Sequence, residues 1–149
     1  MHNFVKYKLP PLICMILIFP LTNRYLSGPW IYSRIGQLFR LFDPNVTLAA
    51  IGTGYTVFRK SCHFVEYAVL AYLLYRMFRA GNLTGTNVRW VLHAAFISIG
   101  YGFMDEFVQI FIPNRNGSIF DVLIDIAGIL TVLSFMMIRS SRHREAVGT

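Results

Sequence analysis

The sequence predicts an all-α membrane protein: a bundle of about four transmembrane helices with an amphipathic or re-entrant segment between the first and second. Three observations predict it. Of 149 residues, 55% are hydrophobic and 14% charged, against roughly 25% charged in soluble domains, and the mean hydropathy is +0.51. The apolar residues come in long runs. The basic residues flank those runs, so the net charge of +7 reads as a topology signal and not as a nucleic-acid footprint. One domain over 1–149 is expected, with the bilayer as partner and no nucleic acid. Nothing in the sequence specifies an oligomer.

The first span is expected at about 9–26. Pro20 inside it should kink or end the helix, and Arg24 can snorkel to an interface. No small-x-small cleavage site follows, so the run reads as an uncleaved signal anchor. Cys14 and Cys62 have no metal-knuckle spacing. An interfacial segment follows at about 31–56. Ile31, Ile35, Leu38 and Phe42 repeat at helical spacing before Asp43-Pro44, and the run 48–58 is apolar but glycine-broken and too short to span. Later spans are expected at about 57–78, 88–112 and 119–138.

Lys6 and Lys8, then Arg76, Arg79 and Arg89, then Arg139, Arg142 and Arg144 fall on one side of a four-span chain. By the positive-inside rule both termini are cytoplasmic. The first connector, with Arg24, Arg34, Arg40, Arg59 and Lys60, then lies outside against the rule: either its charges serve a purpose, such as holding anionic groups, or the number of spans is not four.

Asp105, Glu106, Asp121 and Asp125 are most of the chain's seven acidic residues. They flank one short turn between apolar segments. A charge in the bilayer costs about 2.5–3.5 kcal/mol on insertion scales, so such a group marks function by default. The topology brings Lys60, His63, Glu66, Tyr67, Asp105, Glu106, Gln109, Arg115, Asp121 and Asp125 to one membrane face. His63/Tyr67, Asp105/Gln109 and Asp121/Asp125 are i, i+4 pairs, each on one helix face. Ala94, Ser98 and Gly102 form a small-residue ladder on the same side of the third span as Asp105, Glu106 and Gln109.

Several chemistries can use this set. Asp105, Glu106, Asp121 and Asp125 are candidate ligands for a divalent cation, which would in turn hold a phosphate. His63 with a carboxylate makes an acid–base pair. Arg115 and Lys60 can clamp a phosphate or carboxylate. Metal-assisted phosphoester hydrolysis or transfer fits these groups, although no recognised catalytic motif marks a nucleophile. A cluster that only fixes helix packing, in a structural or accessory subunit, and a small proton-coupled transporter are the competing readings.

The segments K-S-C-H-F-V-E-Y-A-V-L, D-E-F-V-Q-I-F-I-P-N-R and S-I-F-D-V-L-I-D-I-A-G resemble the VanZ-like family. They match its K-x-x-H-x-x-x-Y, its D-E-x-x-Q with a following Arg, and its D-x-x-x-D-x-x-G, between Lys60 and Gly128. Asn114 replaces a Gly that the family often carries after the turn proline. The part up to Phe58 carries little of the pattern. The resemblance implies a multi-span protein of the bacterial cell envelope, and the family's name comes from a member associated with low-level resistance to the glycopeptide teicoplanin. The outward basic connector and the acid-plus-Arg cluster fit a site at the lipid-headgroup level for an amphiphilic, lipidated or phosphate-bearing envelope molecule.

Overall fold

The computed structural model describes residues 3–20, 28–80, 87–112 and 118–147, and the regular structure among them is entirely helical. A π-type turn, Phe4–Lys8, leads into α1 (Leu9–Pro20). Then come α2 (Pro29–Phe42), α3 (Leu48–Arg79), α4 (Val88–Gln109) and α5 (Ile119–Val147). The wide first turn, closed by Leu9 N–H on the Phe4 carbonyl, suits the sequence after it. Pro10 and Pro11 have no N–H to give to the carbonyls before them. Each later helix begins where the sequence supplies a start signal. Pro29 opens α2. Thr47 Oγ1 accepts from Ala50 N at 3.2 Å, Asn87 Oδ1 from Arg89 N at 2.9 Å, and Ser118 Oγ from Phe120 N at 3.2 Å.

The other helices gather around α3, which contacts all four. Tyr67, Leu70, Ala71, Leu74 and Tyr75 of α3 bury against Ile18, Val91, Ala94, Ile129 and Leu133. The α3–α5 crossing is close because residue 128 is glycine. A Cβ there would lie 2.3 Å from the Phe64 carbonyl oxygen, inside contact distance. At one end Lys6 and Arg76 both sit over the Tyr7 ring, at 5.3 and 5.8 Å, and the Phe78 and His93 rings are 5.4 Å apart. The N-terminal lysines, the end of α3 and the start of α4 therefore share that end.

Helix α2 forms where the 31–42 repeat predicts one, but its packed face differs from that stripe. Ile31 and Gly36 are buried, whereas Leu38, Leu41 and Phe42 remain exposed. The expected break at 48–58 is absent: that run is the beginning of α3, which starts at Leu48. Gly52 and Gly54 each disfavour helix by about 1 kcal/mol relative to Ala. The Thr47 cap and the packing of α2 offset that cost. A Cβ at Gly54 would stand 2.5 Å from Phe39 Cζ, so the glycine that looks like a helix breaker is where α2 docks.

Among the described residues, two helical segments, Val88–Gln109 and Ile119–Ser140, are long and apolar enough to cross a membrane. Leu92, Phe96, Phe103, Leu130 and Phe135 on them are exposed, as residues facing lipid would be. Helix α3 is longer but carries Arg59, Lys60, Arg76 and Arg79. Of the expected first span, α1 covers 12 residues, and 21–26 lie outside the described residues. The third expected span ends as helix at Gln109, and the helix of the fourth continues to Val147.

Candidate functional site: a buried polar cluster in the helix bundle

At the end of the bundle opposite Tyr7, three helices turn polar side chains toward one another. His63 and Tyr67 come from α3, Asp105, Glu106 and Gln109 from α4, and Asp121 and Asp125 from α5. All seven are at most 5% exposed. Local sequence explains the placement. The i, i+4 spacing puts each pair on one face, and the Ala94–Ser98–Gly102 ladder, buried throughout, turns the acidic face of α4 inward.

The bonding divides the cluster into two parts. Toward the end of the bundle, Asp121 takes both Arg59 Nη2 at 2.9 Å and Lys60 Nζ at 2.6 Å. Two cations on one carboxylate leave a net positive charge there. The cations are about a quarter and a third exposed, while Asp121 is buried. Deeper in, His63 Nδ1 lies 3.2 Å from Asp125 Oδ1. Gln109 Nε2 donates to Asp105 Oδ2 at 3.1 Å, and the Ser118 backbone N–H donates to Glu106 Oε2 at 2.7 Å. His63 Nε2, Tyr67 OH, Glu106 Oε1 and Asp125 Oδ2 are buried without a hydrogen-bond partner. Such atoms are costly unless something occupies the space they face.

The structure brings together nearly all of the residues that the sequence places on one face. Glu66 is the partial exception: it flanks the His63/Tyr67 face of α3 and is half-buried. Arg115 lies outside the described residues. Of the four carboxylates expected as ligands, Asp121 of α5 has cations beside it. It is held by Arg59 and Lys60 of α3, whose long side chains span the gap between the two helices. The group whose ligand atoms close on one another, among the described residues, is His63, Asp105 and Glu106, within 4.8 Å. Lys60 is likewise a partner of Asp121 and not a free clamp. Arg59 was absent from the expected set. Neighbouring residues point about 100° apart on a helix, so spacing alone does not send both Arg59 and Lys60 to one acid.

Beside the cluster a groove of about 500 Å³ opens between the end of α4 and the start of α5. Phe103, Met104, Phe107 and Ile110 of α4 line it with Ile119 and Val122 of α5, and Glu106 and Ser118 complete it. Glu106 thus belongs to both the groove and the cluster. The VanZ/LLP1 family profile matches residues 10–140. The chain belongs to that family. No curated protein and no solved structure matches it. The VanZ/LLP1 match contains every residue of the cluster and reaches well N-terminal of Lys60. The stretch before Phe58, poor in the family's polar motifs, is therefore VanZ/LLP1 sequence too. It supplies α2 and the first turns of α3, which carry no part of the buried cluster.

Proposed function

We propose that this VanZ/LLP1 protein engages an amphiphilic envelope molecule, lipidated or phosphate-bearing, at the outer face of a bacterial cytoplasmic membrane. The observation that carries this is the apolar groove that ends on Glu106 and the unsatisfied polar atoms behind it. An acyl chain fits a groove lined by Phe103, Met104 and Phe107, and a polar head can meet the cluster. Arg59 and Lys60, with charge left over from Asp121, attract an anionic group to the same end.

In this reading the chain crosses the membrane four times, through the 9–26 segment, α3, α4 and α5, with both termini cytoplasmic. Lys60 and Arg76 bracket about 24 Å of α3 at 1.5 Å per residue. That is slightly under the roughly 30 Å hydrocarbon core, and snorkelling closes the difference. The cluster then lies within about 10 Å of the outer charged ring, at the level of lipid headgroups. Tolerance to glycopeptides such as teicoplanin is the proposed consequence in the cell.

The test is native mass spectrometry on protein purified in mild detergent, with Met104→Ser/Phe107→Ser beside wild type. A co-purifying amphiphile on wild type that the groove variant loses supports the reading. A bare wild-type protein that also leaves teicoplanin susceptibility unchanged when expressed defeats it. Asp105→Asn/Glu106→Gln separates the remaining readings. A folded variant without activity on a bound phosphoester points to metal-assisted hydrolysis or transfer. A variant that loses stability and phenotype together points to a packing role, which the cross-links His63–Asp125 and Ser118–Glu106 also favour.

A further inference from the structure

We infer that His63, Asp105 and Glu106 form a site for a single divalent transition-metal ion of the zinc, manganese or iron class, bound through His63 Nε2. One ligand atom from each residue lies within 4.8 Å of the other two, and all three side chains are buried. An ion at the centre of such a triangle is at most about 2.8 Å from each donor, so movements under about 1 Å reach the usual 2.0–2.2 Å.

The second observation is what stands behind each donor. His63 turns Nδ1 to Asp125 Oδ1 at 3.2 Å, while Nε2 is buried and unpartnered. A carboxylate on Nδ1 holds its proton there and leaves the Nε2 lone pair facing inward, the arrangement found behind metal-ligating histidines. Glu106 receives the Ser118 N–H on Oε2 and leaves Oε1 buried and unpartnered. Asp105 is oriented by Gln109 through Oδ2. Each of the three residues is therefore positioned by a hydrogen bond to one of its atoms. The donor chemistry selects the ion. One imidazole and two carboxylates suit zinc, manganese or iron, whereas magnesium and calcium prefer all-oxygen sets. The inference rests on reading the cluster as a ligand site, but its test uses metal alone.

Full-length protein in mild detergent would be stripped with chelator and reloaded with Zn²⁺, Mn²⁺ or Mg²⁺. Metal content would be measured by mass spectrometry, and Co²⁺ substitution followed by absorption. Wild type should retain about one equivalent of Zn²⁺ or Mn²⁺ and no Mg²⁺. His63→Gln should lose it with unchanged helicity and melting. Asp125→Asn, which leaves all three ligands in place, should bind about 10–100-fold more weakly. Retention below about a tenth of an equivalent by wild type, or full retention by His63→Gln, overturns the site. If His63→Gln does not fold, Asp125→Asn decides: unchanged affinity also overturns it. Metal bound without any amphiphile in the native spectra sinks the functional reading alone. Amphiphile bound without metal sinks the ion alone.

Discussion

The two ends of the bundle are built from the same three helices and do opposite things. Toward Tyr7, α3, α4 and α5 pack through Leu70, Ala71, Leu74, Val91, Ala94, Ile129 and Leu133, with α1 adding Ile18. Beyond Tyr67 the same helices meet through His63, Asp105, Glu106, Gln109, Asp121 and Asp125, equally buried. The apolar end holds the bundle by shape. Lipid is as apolar as leucine, so close packing, and not expulsion from water, is what such an end gains. The polar end holds it through directed bonds but leaves inner atoms unsatisfied. A packing device would satisfy all of them. Burial and bonding therefore disagree in that half, which is why the proposed site is placed there.

Breaking the boundary between the halves should have the largest effect. Gly128→Ala puts a Cβ into the Phe64 carbonyl, and a backbone oxygen cannot move aside. About 3 kcal/mol of destabilisation is expected, the upper end for overpacking, read as unfolding in a detergent titration. Leu74→Ala at the apolar end should cost about 2 kcal/mol and leave bound metal and amphiphile unchanged. Loss of either ligand in a folded Leu74→Ala protein would show that the two ends are not independent. Asp121→Asn leaves Arg59 and Lys60 without their shared carboxylate. A cost of about 1–2 kcal/mol is expected, below that of a fully buried pair because both cations reach solvent. The metal stoichiometry of that variant should not change.

Gly102→Ala sharpens the comparison at lower cost. Its Cβ would stand 3.3 Å from Tyr67 Cε1 and 3.5 Å from Asp125 Oδ2, so stability should fall by less than about 1 kcal/mol. Because it presses on the residue behind His63, metal affinity should fall by more than the stability loss suggests. Phe107→Ser should have the smallest effect on folding, within about 0.5 kcal/mol for an exposed position. It should still weaken amphiphile binding in the native spectra. An unchanged affinity would remove the groove from the functional account.

Periodicity and composition determined much of this protein by themselves. The helical class, the position of α2, the inward face of α4 and the i, i+4 pairs of the cluster all follow from local spacing. So does the family, carried by the motifs from Lys60 to Gly128. Tertiary structure decided what spacing cannot express. Gly54 reads as a helix breaker until Phe39 of α2 is seen to occupy the space beside it. Four carboxylates flank one turn in the sequence, but the pairing of Asp121 with Arg59 and Lys60, and the closeness of His63 to Asp105 and Glu106, show only in the fold. The physical reason is common to both. A residue's face on its own helix is a local property set by the 3.6-residue repeat. The partner it meets depends on how two helices cross and how far long side chains reach, and that depends on every other contact in the bundle.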